Sequence, residues 1–408
     1  MKPLKMTPVA EALDLYTQAL ADRLPTTERV PLARAINQTL AVDIVSKETI
    51  PAFRRSTVDG YAVKASNCTQ ASPGQPVQLM LRGTSHMGEL SSIELQEGQA
   101  VYVTTGAMIP EGADAMVMVE VTEKTEDAVF IKEAPEAGTN MILPGSDMTI
   151  GQLVLPKGQR LRPQDIGALA ALGVTEVTIS RAPRVGLLST GDELVPADQE
   201  PKPGQIRDVN TSTLMAHCHT VGLEVALHKI TPDDLATLTA DIIEAKETCD
   251  LILISGGSSM GEKDVTADAI RAAGGQVFIH GMAFKPGKPT ILARIGETLV
   301  IGLPGHPVSA LLVFDILSQR ILPQVFQMTQ PPVEKRLGII SQDIRPAKGR
   351  DTCQMVQAIW KDNQWQFHPV KGKSGMITLM TKADGYVQIP RTVDQIPAGT
   401  TVEMVCFR

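Results

Sequence analysis

A chain of 408 residues is too long for one ordinary hydrophobic core, so about two to four domains are expected. Its 43% hydrophobic and 20% charged residues are the balance of a soluble globular protein. A net charge of −7 argues against generic binding to nucleic acid or anionic membranes, and only 3% aromatics leaves few surfaces for base stacking. The five cysteines, Cys68, Cys218, Cys249, Cys353 and Cys406, are scattered and odd in number, which fits reduced thiols and not a disulfide framework. No secretory leader and no apolar run of membrane-spanning length are read, so a cytoplasmic protein is expected.

Thr7 to Leu24 is predicted as an amphipathic helix, with Val9, Leu13, Tyr16, Leu20 and Leu24 on one stripe and Pro25 as its stop. From Pro51 the pattern changes to short β-runs broken by glycine, namely GYAVKA, PVQLMLRG, QAVYVTTGAM, ADAMVMVEVT and AVFIKEA. These predict a small all-β insert over 51–143. Leu153 to Gly173 is expected to carry a second helix, with Pro163 in its first turn, Ile166, Leu169 and Ala170 facing inward, and Gly173 ending it.

From Arg184 strands and helices alternate. Strands are expected at 185–189, 224–230, 251–255, 276–283 and 299–302, and helices at 211–221, 234–247, 265–273 and 307–321. That alternation predicts a doubly wound parallel α/β domain over 181–327. After Pro331-Pro332 β-runs return, CQMVQAIW and WQFHPV about an Asp362-Asn363 turn, predicting a C-terminal β-barrel-like domain over 328–408. Segments 1–50 and 144–180 are left to form a discontinuous helical and mixed domain.

In an open α/β sheet, ligands bind outside the carboxyl ends of the strands. Four Gly/Pro-rich loops follow strand-like runs here, and three carry acids, lysines or both. Ser189-Thr190-Gly191-Asp192-Glu193 sets two carboxylates after a buried strand, suited to a hard cation or to ligand hydroxyls, although a turn with acids at a helix start explains the same pattern. Ser255-Gly256-Gly257-Ser258 allows close backbone approach to a phosphate, with Asp264 just ahead of a helix. This is neither a GxGxxG fingerprint nor a Walker loop. In Lys285-Pro286-Gly287-Lys288-Pro289 the prolines and glycine shape the backbone so that both ammonium groups can face one spot. Pro304-Gly305-His306-Pro307 opens the last helix as an anion seat. Asp233 reads as a helix N-cap, yet strand order could also bring it to the mouth of the crevice. His217-Cys218-His219 lies mid-helix, where residues two apart point to different sides, so it reads as structural.

Taken in order, RSTVDGYAV (55–63), TTGAMIPEGADAMV (104–117), LLSTGDEL (187–194), QIRDVN (205–210), SGGSSMGEKD (255–264), KPGKP (285–289), LPGHPVSA (303–310) and SGMI (374–377) resemble the molybdopterin molybdenumtransferases, relatives of the gephyrin E domain. The resemblance spans most of the chain. It implies an elongated homodimer that inserts molybdenum from molybdate into adenylylated molybdopterin with Mg²⁺, releasing AMP, with 1–50 and 144–180 as the dimerisation domain. By motif it implies Asp59, Thr105, Glu193, Asp233, Asp264, Lys285 and Lys288 as catalytic groups, with Glu193, Asp233 and Asp264 on the metal. Ser189, Thr190, Gly191, Asp192, Ser255, Gly256, Gly257, Ser258, Pro304, Gly305, Pro307 and Ser374 are implied as substrate contacts. The crevice is expected to be completed across the dimer, and a molybdopterin adenylyltransferase is a conceivable partner. Leu143-Pro144-Gly145-Ser146-Asp147 departs from the Arg-rich Gly-Glu-Asp loop of many members, and Ser258 and Met260 replace their more usual valines. Two competing functions are a molybdopterin adenylyltransferase and a non-catalytic molybdopterin-binding scaffold.

Overall fold

Residues 6–22, 26–257, 265–328 and 332–407 are described in the computed structural model of the chain. Helix α1 (Val9–Gln18) buries Ala12, Leu13 and Tyr16, with Leu20 continuing the stripe in the following turn. It is shorter than the apolar period suggests because its end tightens into i→i+3 bonds, Leu20 N–H to Thr17 O and Ala21 N–H to Gln18 O. The predicted Leu24 and Pro25 lie outside the described residues.

Contact density divides the chain into two units. The first holds 31–36 and 42–177. Its strands β1 (Gly60–Val63), β2 (Val77–Ser85), β3 (Gln99–Val103), β4 (Ala115–Met118), β5 (Thr122–Lys124) and β6 (Ala128–Ile131) form one sheet in the order β4-β1-β3-β2-β6-β5. Period-2 alternation gives it two apolar faces: Tyr61, Val63, Val117 and Val129 on one, Ala62, Val101, Val103 and Met116 on the other. The second expected helix is confined to α2 (Pro163–Ala171). Leu153–Leu155 is instead a strand paired with Ile44–Val45. Asp165 starts α2 by accepting the Arg162 N–H at 2.9 Å, and Gly173 ends it at φ +67°. Leu169 points inward as expected, but Ala170 is exposed and Leu172 takes the next buried position.

The other unit holds α1 and the chain from 178 onward. Its elements run β7 (Arg184–Thr190), α3 (Val209–Thr220), β8 (Glu224–Thr231), α4 (Leu235–Thr248), β9 (Leu251–Gly256), α5 (Val265–Ala272), β10 (Gln276–His280), β11 (Ile291–Ile295), β12 (Thr298–Leu303) and α6 (Pro307–Val325). The sheet order is β8-β7-β9-β12-β11-β10. β8, β7, β9 and β12 are mutually parallel, as read from the sequence, but β11 runs antiparallel to both neighbours. The reversal comes from a two-residue hairpin in which Ile295 pairs with Thr298 and Gly296 takes φ +57°. Leu187, Leu253 and Ile301 pack under α1, α3 and α6, while Leu188, Ile252, Ile254 and Val300 pack under α4 and α5. α6 is a further departure. At 19 residues, with an 18-residue stretch of mean hydropathy 1.3, it is long and apolar enough to cross a membrane, but 67% of that stretch is buried inside the fold as a core helix.

Past α6, strands β13 (Lys335–Ile340), β14 (Asp351–Lys361), β15 (Gln364–Pro369), β16 (Gly385–Ile389) and β17 (Thr401–Cys406) close on themselves as a barrel. β14 is long enough to pair with β16 along Thr352–Val356 and with β15 beyond it. Asp362 and Asn363, at φ +53° and +58°, make the tight turn read from the sequence. Ile340, Val356, Phe367 and Met404 fill the interior. The barrel is fastened to the α/β layers twice. Phe284 and Lys285 add a parallel pairing to Asp351 and Thr352. A buried polar cluster also joins them: Tyr386 Oη donates to Asp315 Oδ2 on α6 at 2.6 Å, Gln319 Nε2 donates to the same oxygen at 3.0 Å, and His217 Nε2 lies 3.4 Å from Asp315 Oδ1. Burial pushes the Tyr386 phenol well up, so it stays a donor. His217 faces Asp315, Cys218 enters the core and His219 is exposed, so this triplet diverges as its helical spacing predicts.

Candidate active site

Outside the carboxyl ends of β7, β9 and β12, between the α/β layers and the barrel, lies a cleft of about 1770 Å³. Its walls are built loop by loop. Ser189, 2% exposed, sits below the surface and bonds Thr211 Oγ1 at 3.0 Å, so it shapes the cleft without lining it. Thr190 lines the cleft and donates from Oγ1 to Asp233 Oδ1 at 2.5 Å. Gly191 is buried; a Cβ there would come within 2.7 Å of Glu193 Oε2, so its bareness leaves room for that carboxylate. Asp192 accepts the Asp233 N–H at 3.1 Å and thereby ties the first acidic loop to the second. Glu193 and Asp233 both reach the cleft.

The N-cap reading of Asp233 is corrected. Asp234 caps α4, its Oδ2 accepting Thr237 N–H and Oγ1–H at 2.8 Å each. Asp233, one residue earlier, is thereby released to the cleft, which is the place strand order allowed for it.

At the end of β9, Gly256 and Gly257 hold φ +106° and +60°. A Cβ on Gly256 would overlap the Thr190 carbonyl oxygen, so only glycine lets the β7 and β9 loops touch. Ser255 lies buried just below. Ser258 and Asp264 lie outside the described residues. Opposite, Lys285 and Lys288 both line the cleft. Gly287 takes φ +137°, and a Cβ there would run into the Val313 side chain and the Phe284 ring. Met282 N–H donates to Lys288 O at 2.9 Å and Thr290 Oγ1 to Gly287 O at 2.7 Å, which fixes the loop's shape. Pro304, Gly305 and Pro307 complete this wall. The amides at the start of α6 are less open than a bare helix entry suggests, because Val308 N–H donates to Ser374 O at 3.3 Å.

The cationic lining residues Arg345, Lys371 and Lys373 escaped the sequence reading, while Asn210 and His306 stood in motifs it quoted but were given no role of their own. Asn210 Nδ2 donates to Ser255 Oγ and to Gly305 O, each at 2.7 Å, and so pins two cleft loops together. Its position just after Asp208, which caps α3, was the available signal. Lys371-Gly372-Lys373 repeats the lysine–glycine–lysine logic of the 285–288 loop at the end of β15 and was legible by the same argument. Among the described residues, Lys285, Lys288, Arg345, Lys371 and Lys373 make no ion pair with an acid. The cleft is thus locally cationic in a chain of net charge −7. Cys353, at its back, has its thiol pushed far up by burial, with Asp315 and Asp351 adding to the effect, and stays a neutral lining group.

Such a wall suits a multiply charged anion, and the exposed carboxylates of Glu193 and Asp233 are oxygen donors of the kind a hard, partly hydrated cation takes. Among the described residues no three His, Cys, Asp or Glu side chains form a ready-made metal cage. In the first unit, Asp59 Oδ1 accepts the Thr105 N–H at 2.7 Å and its Oγ1–H at 3.1 Å, so that these two exposed residues form one polar pair.

Three family descriptions match the chain in order: the MoeA N-terminal region (domain I and II) over 7–173, a probable molybdopterin binding domain over 186–324, and the MoeA C-terminal region (domain IV) over 338–407. The chain is 33% identical over 404 residues to a molybdopterin molybdenumtransferase of Haemophilus influenzae, spanning 97% of this chain and 98% of that one. It is 32% identical over 382 residues to molybdopterin molybdenumtransferase 2 of Mycobacterium tuberculosis, spanning 92% and 94%. The crystal structure of a molybdopterin biosynthesis MoeA protein from Pyrococcus horikoshii superposes with a TM-score of 0.87 at 34% identity, over 99% of this chain and all of that one. This chain belongs to the MoeA family of molybdopterin molybdenumtransferases.

Proposed function

We propose that this chain is the transferase of molybdenum cofactor biosynthesis that inserts molybdenum from molybdate into adenylylated molybdopterin and releases AMP. The observation that carries this reading is the convergence of the 285–288 lysines, the strand-end acids and the barrel cations on one cleft. A charge-assisted hydrogen bond nets about 1.5–3 kcal/mol, so one or two lysines hold a small oxyanion weakly. A ligand that touches several loops at once binds far better, which favours a nucleotide-linked pterin as the body of the substrate. In this reading Lys285 and Lys288 neutralise the oxyanion. Ser255, Gly256, Gly257, Ser258, Pro304, Gly305, Pro307 and Ser374 cradle the substrate, and Ser189, Thr190, Gly191 and Asp192 hold the acidic loop in place. Glu193, Asp233 and Asp264 would hold Mg²⁺, which when bound offsets the charge of the bridging phosphates.

AMP release from adenylylated molybdopterin tests the reading. With molybdate and Mg²⁺ AMP should appear, with EDTA it should stop, and renewed Mg²⁺ should restore it. Equal AMP release without molybdate or metal defeats the assignment. Adenylyl transfer from ATP to free molybdopterin would favour the adenylyltransferase reading instead.

The same proposal extends to a cytoplasmic homodimer in which 1–50 and 144–180 dimerise, and in which Asp59 and Thr105 reach the cleft from the second copy. An adenylyltransferase docks to hand over the substrate. Mixing an Asp59→Asn chain with a Lys285→Ala chain should recover AMP release that neither shows alone, because one site of the mixed dimer is then intact. No recovery on mixing rules out the shared site.

A further inference from the structure

We propose that His306 carries protons between the substrate thiols and the departing oxygen of molybdate. This rests on the function proposed above and adds a catalytic group to it. The ring is His306 of the Pro304–Pro307 loop, the residue before α6, and it lies on the cleft wall. Its Nδ1 lies 2.8 Å from Ser374 Oγ, across the seam between the α/β layers and the barrel segment. The other edge of the ring passes over Gly375: a Cβ there would lie 3.7 Å from Cδ2 and 3.8 Å from Nε2. Ser374 therefore holds one edge of the ring, and among the described residues Nε2 on the other edge has no hydrogen-bond partner.

The chemistry needs such a group. Two thiols and molybdate give a dithiolate-bound molybdenum and one water. Two S–H bonds and one Mo–O bond break, two Mo–S bonds form, and the oxygen leaves with both thiol protons. Molybdenum stays hexavalent, so no oxidant or reductant enters. Nε2 takes a proton from a thiol and returns it to the departing oxygen, once for each sulfur. Ser374 Oγ accepts from Nδ1–H before and after each transfer, so the ring does not turn. Carboxylates and ammonium groups ordinarily titrate far from neutral pH, whereas an imidazole gives and takes a proton there. His306 is the one imidazole among the described cleft residues.

Positioned acid–base groups contribute about a hundredfold or more, so His306→Ala should lower kcat for molybdenum insertion about a hundredfold at unchanged KM for molybdate. Free imidazole should restore a large part of that rate, an effect that a loss of shape alone does not produce. His306→Gln, which preserves a polar contact to Ser374, should remain slow and fold normally by thermal unfolding. Full activity in either variant overturns the proposal. A slow alanine variant that imidazole does not revive overturns it too. A wild-type chain inactive with molybdate defeats both readings. An active wild type beside an unimpaired His306→Ala defeats only this one.

Discussion

Lys285→Ala combined with Lys288→Ala is expected to lower molybdenum insertion by about a hundred- to ten-thousandfold while the protein stays folded. In the proposed reaction each lysine gives the oxyanion a charge-assisted hydrogen bond worth about 1.5–3 kcal/mol, about 3–6 kcal/mol together, and 1.4 kcal/mol corresponds to tenfold. Neither side chain makes an ion pair with a described acid, so their loss strands no buried carboxylate. The backbone of the loop is held by Met282 N–H to Lys288 O and by Thr290 Oγ1 to Gly287 O, neither of which needs the ammonium groups. Each single replacement should fall between wild type and the pair. Lys361→Ala, which removes an exposed charge from the end of β14, should turn over as wild type does. AMP release at fixed molybdate is the measurement. Unchanged turnover in the double variant takes these lysines out of the reaction.

Asp315→Ala should be the most destabilising single replacement at the seam between the barrel and the α/β layers. Asp315 is 4% exposed and receives hydrogen bonds from Tyr386 Oη and Gln319 Nε2, with His217 beside it. Removing one member of a buried charged network leaves its partners without a counterpart in a poor solvent, which costs about 3–5 kcal/mol. Both tryptophans of the chain, Trp360 and Trp365, stand on the β14–β15 hairpin with ring centroids 5.3 Å apart, so intrinsic fluorescence follows the barrel. A lower urea midpoint by fluorescence is expected. Asp315→Asn, which retains an acceptor for Tyr386, should lose less. A wild-type midpoint in the alanine variant would show that the cluster contributes no stability. Because Arg345, Lys371 and Lys373 reach the cleft from the barrel, a loosened seam should also weaken molybdate binding.

Local chemistry made much of this legible from the chain alone. Apolar runs ending in glycine marked β7, β9 and β12, since a buried parallel strand needs continuous apolar residues and its exit loop needs conformational freedom. The exit of β7 held Glu193, that of β8 held Asp233, and the loop between β10 and β11 held Lys285 and Lys288, all of which line the cleft. The order of motifs carried the family. Asp362-Asn363 marked a hairpin because both residues tolerate the left-handed region.

Other features depend on contacts between distant segments. The reversal of β11 needed the short Gly296 turn together with free edges on β12 and β10, and no apolar period distinguishes a parallel strand from an antiparallel one. Asp233 and Asp234 are equal as cap candidates in sequence; the path of β8 into α4 decided that Asp234 caps and Asp233 faces the cleft. α6 carries the composition of a membrane span, and only the layers packed around it make it a core helix. Lys371 and Lys373, on the barrel, meet the 285–288 lysines because β14 pairs with Phe284 and Lys285. Side-chain type and spacing thus determined which chemistry this chain can perform, while long-range strand pairing and the burial of Asp315 decided which of those side chains meet.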